Sequence, residues 1–417
     1  MTDSDVELID TLPDEILEAV FKCLPLGEVK TKLAVVCKRW YEVSKSCSLL
    51  RRIEFGPFIS TEVAVQVLRQ APLLNSLKLL SRTDINELLN EVAVWNTKLE
   101  RLKVYASKDA RYTEVEGPVL IACVHSLRNL KDLTLKRVTF DNPDHVFKEL
   151  GPATCKLQAL NLNHSIQLDT DGLFNLVRGL PKLKELRIYC ISFNRIGVRY
   201  WSVSPWLRSV TPYTDPPVED LIRKMNSLQV LKLNMLGITG AIFQALSMLP
   251  NLKVLHLYRM VMVQDESMSL MARLKRLEKL VVTIPRTITS QCWSEVLGST
   301  NMVNLSTVVI SNSYSVDDMV LRTIAENCPA IVELGFPGCR GITDAGVAAI
   351  IIKCTRLVKI NLFSTKSIIS EAFRLLPVFL PHLEELIYRA VDRTDTGFPE
   401  EVRSMPNLRL MTIYRYP

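Results

Sequence analysis

The sequence predicts an α/β fold: a curved parallel sheet with helices on its outer face, built from one short unit that repeats along most of the chain. The spacing L-x-x-L-x-L recurs, and Ile331, Leu334 and Phe336 form its clearest copy. Thirteen copies begin at the following residues: Leu74, Leu99, Leu130, Leu157, Leu183, Leu228, Leu252, Leu277, Leu305, Ile331, Leu357, Leu383 and Leu408. Most steps between copies are 24 to 28 residues long. A regular step of this length indicates a solenoid of stacked repeats, each with one short strand.

A helix is predicted after the strand of each repeat. In the clearest copy, four apolar residues recur at the spacing that places them on one buried helix face. They are Val347, Ile350, Ile351 and Cys354. Thr343 and Asp344 stand just before this stripe and are suitable capping residues.

Prolines stand at one phase of the repeat and are predicted to end the helices. Six of them lie two residues before the first position of a copy: Pro72, Pro181, Pro250, Pro329, Pro381 and Pro406. Proline disfavours helix at the preceding residue and cannot continue a helix itself, so the chain turns into the next strand. The period and the pattern resemble the leucine-rich repeat, and residues 338–354, GCRGITDAGVAAIIIKC, resemble its cysteine-containing subtype.

The composition is typical of a folded protein, with 48% hydrophobic and 23% charged residues in 417. The formal net charge of +7 does not by itself favour a nucleic-acid partner. No apolar run approaches the roughly 20 residues of a membrane span, and the acidic N-terminus lacks the apolar core of a signal peptide. We therefore expect neither a nucleic-acid nor a membrane partner.

Ten cysteines are scattered along the chain without a metal-binding spacing. Cys328 and Cys354 share one phase of the repeat, which favours a buried column of small apolar residues over a zinc site or a disulfide. Free buried cysteines fit a reducing compartment. The expected location is therefore the cytoplasm, the nucleus or both.

A different pattern covers residues 12–53, where apolar residues mark three short helices. These residues are Ile16, Leu17, Val20, Phe21 and Leu24 in the first helix, Val29, Leu33, Val36 and Cys37 in the second, and Trp40 and Val43 in the third. So small a helical core is near the lower size limit for independent stability. The segment resembles an F-box through the following residues: Leu12-Pro13, Glu15-Ile16-Leu17, Phe21, Leu24-Pro25 and Val36-Cys37-Lys38-Arg39-Trp40.

The resemblance to an F-box implies that this segment docks on the small adaptor subunit that bridges to the cullin in an SCF (cullin-type) ubiquitin ligase. The implied adaptor-binding residues are Leu12, Pro13, Ile16, Leu24, Pro25 and Val36. Trp40 is expected to hold the helices together. A second interpretation is a helical cap that covers the first apolar face of the repeat array.

The predicted organisation has four parts. They are a flexible tail at 1–11, the F-box at 12–53, a connecting helix or cap at 54–73, and about 13 to 14 leucine-rich repeats at 74–417. The connecting helix is suggested by Val63, Val67 and Leu68. The chain ends on a strand whose free edge Arg415 and Pro417 are expected to protect from further pairing.

One step of the array is irregular. From Leu183 to Leu228 it measures 45 residues. A degraded repeat at Leu207 and Val210 is the favoured interpretation, and an exposed loop is the alternative.

No catalytic constellation is found. None of the five histidines sits in a metal or nucleophile motif, and there is no glycine-rich phosphate loop. Asp169 and Asp171 resemble a fragment of a calcium loop, but they stand where other repeats begin a helix, which favours capping. We expect a non-catalytic protein with no metal and no cofactor.

The sheet face on the inside of the array is the candidate binding surface. The residue between the last two apolar positions of each copy points out of this face, as does the residue two positions further on. In the first half of the array these columns are basic, with interleaved tyrosines. The predicted substrate-binding residues are Lys78, Lys103, Tyr105, Lys136, Arg187, Tyr189, Lys232, His256 and Tyr258. The second half is more apolar, with Val281, Val309, Gly335 and Ile387 in the first column.

Two interpretations of this surface are open: a solvated charged face, and a site for an acidic or phosphorylated protein segment. In the second, cations pair with anionic oxygens, tyrosines supply rigid contact area, and the apolar half grips apolar side chains. Binding of a single-stranded nucleic acid is a third interpretation, which the modest charge disfavours.

Together, the two resemblances imply the substrate-recognition subunit of an SCF ubiquitin ligase. The F-box would hold the adaptor and, through it, the cullin, while the repeats hold a protein substrate for ubiquitination and proteasomal degradation. Two alternatives are a receptor in which a small anionic ligand helps to hold the substrate, and an interaction scaffold that acts outside any ligase.

Overall fold

The computed structural model describes residues 12–24, 28–46, 49–106, 113–140, 142–163, 179–189, 225–234, 241–260, 263–365, 368, 371–388, 400–408 and 410–413. The predicted tail at 1–11, the adaptor-binding candidate Pro25 and residues 190–224 lie outside these ranges. The chain divides into two compact units, Met1–Ile166 and Gln167–Pro417. Within the described ranges, no helix is long and apolar enough to cross a membrane.

The first unit begins with three short helical segments, as predicted. They are α1 (Asp14–Lys22), a π-helical turn (Val29–Leu33) and α2 (Lys38–Ser44). Two acidic residues open α1 and a lysine closes it, which suits the helix dipole. The second segment is shorter than predicted, because Val36 lies in an exposed turn after it. The prediction that Cys37 belongs to the core is wrong: it is exposed and caps α2, and its sulfur accepts a hydrogen bond from the Trp40 amide at 3.5 Å.

A parallel sheet follows in the first unit. Its strands and the small pair beside it are β1 (Arg52–Phe55), β2 (Ser76–Leu80), β3 (Arg101–Tyr105), β4 (Thr113–Glu114), β5 (Asp132–Lys136), β6 (Val138–Thr139) and β7 (Ala159–Asn163). The main sheet has the order β1-β2-β3-β5-β7, and β4 pairs with β6. β1 crosses the predicted boundary at residue 53, so the sheet begins one strand earlier than the repeat pattern indicated.

Helices connect the strands of this unit. They are α3 (Thr61–Arg69), α4 (Ile85–Trp95), α5 (Gly117–Ser126) and α6 (Pro143–Ala153). α3 lies inside the predicted connecting segment, and the Ser60 hydroxyl caps it by accepting a hydrogen bond from the Val63 amide. α3 buries Ala64 and Leu68, whereas Val63, predicted on the buried face, is exposed.

The second unit has the same strand and helix alternation. Its strands are β8 (Glu185–Tyr189), β9 (Val230–Asn234), β10 (Val254–Tyr258), β11 (Lys279–Thr283), β12 (Thr307–Ser311), β13 (Glu333–Gly335), β14 (Lys359–Leu362), β15 (Glu385–Tyr388) and β16 (Leu410–Ile413). Its helices are α7 (Ala241–Leu246), α8 (Asp265–Met268), α9 (Ser290–Leu297), α10 (Asp318–Asn327), α11 (Asp344–Lys353), α12 (Leu376–Phe379) and α13 (Glu400–Arg403), with 3-10 turns at Ser269–Arg273, Thr300–Met302 and Glu371–Leu375. The strands pair in parallel in chain order from β8 to β16.

The strands on either side of the irregular step of the repeat pair directly. Glu185 of β8 lies opposite Val230 of β9, and Arg187 lies opposite Lys232. Leu207 and Val210, where the sequence suggests a degraded repeat, lie outside the described residues.

The core follows the predicted phase of the repeat. In β2, Leu77 and Leu79 are fully buried on either side of the half-exposed Lys78. The apolar stripe of α11 and the apolar residue before each of the six prolines are also buried: Val347, Ile350, Ile351, Cys354, Ala71, Leu180, Leu249, Cys328, Leu380 and Met405. Each leucine buried in this way contributes about 1.5–3 kcal/mol relative to an exposed one.

Polar side chains join successive repeats where the helices begin and end. The buried Asn96 amide nitrogen donates to the Leu68 carbonyl at 3.0 Å and to the Ala71 carbonyl at 2.8 Å, one repeat earlier. In the second unit, the Asp318 carboxylate accepts from the Thr343 amide at 2.8 Å and from the Thr343 hydroxyl at 2.6 Å. Thr343 caps α11 as predicted. The Asp318 carboxylate gives a partner to the Thr343 amide at the start of α11. The Asn96 amide adds a second donor to two carbonyls that also accept from backbone amides.

Candidate functional site

The N-terminal helices pack around a small apolar core. Leu17, Phe21, Val29 and Leu49 are its buried members. Trp40 packs against them, and its ring meets the Phe21 ring edge to face at a centroid distance of 5.4 Å. Trp40 therefore holds the helices together, as the sequence predicts, in an arrangement that aromatic pairs prefer.

A second apolar face of the same helices is exposed. Its members are Ile16 (49% exposed), Val20 (47%), Leu24 (39%), Val35 (75%) and Val36 (58%). Ile16 and Val20 stand on α1 beside Leu17 and Phe21 of the buried core, so α1 carries apolar residues on two sides. This number of exposed apolar residues on so small a module indicates a surface for a partner.

The predicted adaptor-binding residues fall on or beside this face. Ile16, Leu24 and Val36 belong to it, and Pro13 is exposed. Leu12 is half-buried.

Arg39 positions the start of this face, which sequence reasoning missed. Its guanidinium donates to the Asp14 carboxylate at 2.8 Å and, through Nη2, to the Leu12 carbonyl. The two bonds tie the segment before α1 to α2 and set the direction of Leu12 and Pro13. The only sequence signal was Arg39 in the motif and an acidic residue in the first turn of α1.

The columns predicted on the sheet face exist in the first unit with the expected register. Lys78 stands opposite Lys103, and Tyr105 opposite Lys136. The charges are partly neutralised, because Lys78 pairs with Glu54 at 2.9 Å and Lys103 with Asp132 at 2.8 Å. Lys78 also lies over the Tyr105 ring, 5.7 Å from its centroid. Glu54 was missed because β1 was hidden in the predicted F-box and connecting segment.

In the second unit the column runs through Arg187, Lys232 and His256 on adjacent strands. Arg187 forms an ion pair with Glu185 on its own strand. Among the residues that the structure describes, Lys232 has no ion-pair partner. Burial, and then the Arg187 charge, lower the pKa of Lys232. The Glu185 carboxylate opposes this decrease, so Lys232 has a carboxylate nearby but forms no ion pair with it.

His256 stands at the end of this row, opposite Lys232, and is 7% exposed. Its Nδ1 lies 3.3 Å from the Tyr258 hydroxyl, and its Nε2 has no hydrogen-bond partner among the described residues. Burial, followed by the charges of Lys232, Lys279 and Arg187, lowers the pKa of His256 to about 3. The imidazole is therefore neutral at physiological pH and contributes no charge to the column. For Tyr189, the remaining candidate, the structure describes only the backbone, at the end of β8.

The apolar half of the column is less open than predicted. Val281 is 9% exposed. Gly335 has no room for a side chain, because an added Cβ would lie 3.3 Å from both methyl groups of Val309 on the adjacent strand. Val309 and Ile387 are half-buried, so this part of the sheet offers little apolar surface to a partner.

The N-terminal module can be identified by comparison with known proteins. Residues 9–55 match a family described as F-box-like. The module is an F-box-like domain. Its match begins and ends close to the predicted 12–53 and includes β1, the first strand of the sheet.

The repeats behind the F-box also resemble solved structures. A chain of the Rad7 and Elc1 complex in yeast is 15% identical, with 91% of this chain and 89% of that chain covered, at a TM-score of 0.59. Lower similarity is found to the internalin InlF of Listeria monocytogenes str. 4b F2365 (15% identity, 86% and 93% coverage, TM-score 0.44) and to the TLR13–ssRNA13 complex (14%, 84% and 54%, 0.42).

The predicted resemblance to F-box and leucine-rich-repeat proteins and the predicted fold class are confirmed.

The two cysteines at one phase of the repeat are buried in the second unit. Cys328 and Cys354 are both free thiols and are 1% and 4% exposed. Burial raises the pKa of Cys328 to about 12 and that of Cys354 to about 11, so both thiols stay protonated. Their position fits the predicted packing role, and no described group of histidine, cysteine and acidic residues is arranged to hold a metal.

Proposed function

We propose that this chain is the substrate-recognition subunit of an SCF (cullin-type) ubiquitin ligase. The observation that carries the proposal is the exposed apolar face of the F-box, formed by Ile16, Val20, Leu24, Val35 and Val36 beside a separate buried core. The adaptor would cover this face, and the cullin would be held through the adaptor. Yeast Rad7 and Elc1, a chain of which resembles this one, also form a two-protein complex, which supports this arrangement.

The repeats would hold the protein substrate on the sheet face. In the second unit Lys232 forms no ion pair with a described residue, and in the first unit Lys136 forms none. Both can pair with carboxylate or phosphate oxygens of an acidic or phosphorylated segment. Lys78, Lys103 and Arg187 would have to exchange their present carboxylate partners for the substrate, so we assign them a smaller share of the affinity.

The contribution of the subunit to ubiquitin transfer would be positional. Holding a substrate lysine near the thioester of a conjugating enzyme raises its effective concentration and needs no catalytic residue in this chain. The marked substrate would then pass to proteasomal degradation. The buried neutral His256 and the protonated buried thiols are suited to packing and not to nucleophilic attack.

Adaptor co-purification tests the proposal. Burying one isoleucine or valine contributes about 1.5–3 kcal/mol, and a buried aspartate opposes binding further. The double variant Ile16→Asp/Val36→Asp should therefore lose the adaptor, and Leu12→Ala/Pro13→Ala should weaken its binding. Val63→Asp is the matched control, because Val63 has nearly the same exposure (50%) on α3, outside the F-box face.

The control variant should retain the adaptor, and cullin should appear in the same purification from cells. Undiminished recovery of the adaptor with Ile16→Asp/Val36→Asp would refute the docking face. Recovery of adaptor without cullin would favour a scaffold that acts outside any ligase.

A further inference from the structure

A cavity of about 470 Å³ opens at the start of the first three strands of the sheet in the first unit. Four basic side chains line it: Arg51, Arg52, Lys98 and Arg101. Asn75, Leu73 and the single carboxylate of Glu100 complete the wall. None of the column residues discussed above lines this cavity, and Arg51 and Arg52 come from the end of the F-box-like match.

The one carboxylate in the wall is already engaged. The Lys131 ammonium, which is not part of the wall, donates to Glu100 at 2.7 Å. Hydrogen bonds from Lys131 and then from Asn75 lower the pKa of Glu100. Glu100 therefore offers little compensation to the basic groups around it, and the cavity carries a net excess of positive charge.

The arginines are arranged for an anion. β1, β2 and β3 place Arg52, Ser76 and Arg101 side by side in register, so two arginines flank a small hydroxyl residue at about 10 Å separation across two strand spacings. Arg101 is oriented by its Nη2, which donates to the Asn75 side-chain oxygen at 3.1 Å. Its buried Nε has no partner among the described residues.

The remaining cations of the cavity are available. Arg51, Arg52 and Lys98 are exposed, and none of them forms an ion pair with a described residue. Guanidinium groups bind phosphate oxygens through paired N–H donors, and such charge-assisted hydrogen bonds are stronger than neutral ones. The wall has no aromatic side chain on which a nucleic-acid base could stack.

From this geometry we propose that the cavity binds a phosphoryl group carried by a serine or threonine side chain of a protein segment. Arg101 lies two positions before Lys103 on β3, and Arg52 of β1 lies opposite Ser76, two positions before Lys78 on β2. Both arginines are therefore on the same sheet face as Lys78 and Lys103. A segment held on that face can therefore place one phosphorylated side chain in the cavity. The assignment of this segment to the recognised substrate rests on the proposed function; binding of the phosphoryl group does not.

A phosphopeptide library with one fixed central phosphoserine, and the same library with serine, are suitable probes. Binding of each to the complex of the full chain with its adaptor is measured by fluorescence anisotropy. The double variant Arg52→Gln/Lys98→Gln removes two exposed cations of the cavity. Arg322→Gln/Arg356→Gln removes two exposed cations of the second unit and is matched in charge.

We expect the phosphoserine library to bind the unmodified complex at least about tenfold more tightly than the serine library. The cavity variant should lose at least about tenfold of this affinity, while the control variant keeps it. Melting temperatures of both variants should match that of the parent chain. Equal losses in both variants, or no preference for phosphoserine, would overturn the proposal.

Inositol hexakisphosphate provides a second arm that separates a free polyanion from a phosphorylated side chain. Binding of this compound at the cavity without binding of the phosphoserine library would also overturn the proposal. The adaptor is scored in the same preparations. If the adaptor binds and the phosphoserine library does not, the phosphoryl site is refuted and the proposed ligase role stands. If the library binds at the cavity and no adaptor is retained, the ligase role fails and the phosphoryl site stands.

Discussion

The buried imidazole of His256 should make the second unit sensitive to acid. Its pKa is about 3 in the folded chain, against an ordinary value of 6.5 that applies once the chain is unfolded. Between these values the unfolded chain binds a proton that the folded chain does not. The contribution to stability is therefore complete above about pH 6.5 and is lost progressively as the pH falls towards 3.

The size of this loss follows from the two pKa values. At pH 5 the unfolded imidazole is almost fully protonated and the folded one is not, which lowers the free energy of unfolding by about 2 kcal/mol relative to pH 8. His256→Gln removes the titrating group and keeps a polar side chain beside Tyr258. His382→Gln is the matched control, since His382 is an exposed histidine of the same unit.

Urea unfolding at pH 8 and pH 5, followed by the fluorescence of the five tryptophans, measures the difference. The parent chain and the His382 variant should lose the same amount of stability on acidification, and the His256 variant should lose about 2 kcal/mol less. An equal loss in all three chains would refute the assignment of a buried, neutral His256 surrounded by cations.

Two further predictions concern the substrate face and the repeat stack. Lys232→Glu should weaken substrate capture by about tenfold at low salt, more than Lys103→Glu or Arg187→Glu, because Lys103 and Arg187 already form ion pairs and Lys232 forms none with a described residue. Lys353→Glu, on α11, is the control, and equal effects of all four variants on affinity would contradict this ranking. Asn96→Ala should lower the free energy of unfolding by about 1–3 kcal/mol, because it removes two buried hydrogen bonds between neighbouring repeats. A change below about 0.5 kcal/mol in urea unfolding would show that water replaces the amide.

The repeat phase was predictable because burial fixes it. Leu77 and Leu79 must face the core on either side of Lys78, and the prolines mark where each helix stops. A hydrophobic spacing repeated many times leaves one register for the sheet, and that register also aligned the columns of Lys78, Lys103 and Lys232 correctly.

The faces of the F-box helices were harder to predict because an apolar residue need not be buried. Val36 and Cys37 read as the continuation of a helix stripe, yet both are exposed beyond its end. An apolar surface that binds a partner has the same types of residue as a buried core. Only the packing of Leu17 and Phe21 against Trp40 separates the two sides of α1.

Charge compensation could not be predicted either, because ion pairs join residues that are distant in sequence. Glu54 pairs with Lys78 from 24 residues earlier in the chain, on β1. Leu50, Ile53 and Phe55 have the repeat spacing, but they fall in the predicted F-box and connecting segment, so β1 was not predicted as a strand of the sheet. The phosphate-binding candidates were missed for the same reason. Arg52 and Lys98 meet only because their strands begin at one end of the sheet.

The direct pairing of β8 with β9 makes the length of the intervening connection independent of the ladder. Strand neighbours are chosen by their hydrogen bonds and buried side chains, and the entropy of closing a chain between them grows only with the logarithm of its length. Residues can therefore be inserted between β8 and β9, or deleted there, without changing the register of the strands on either side. Insertions at this junction should therefore change the stability of the solenoid little.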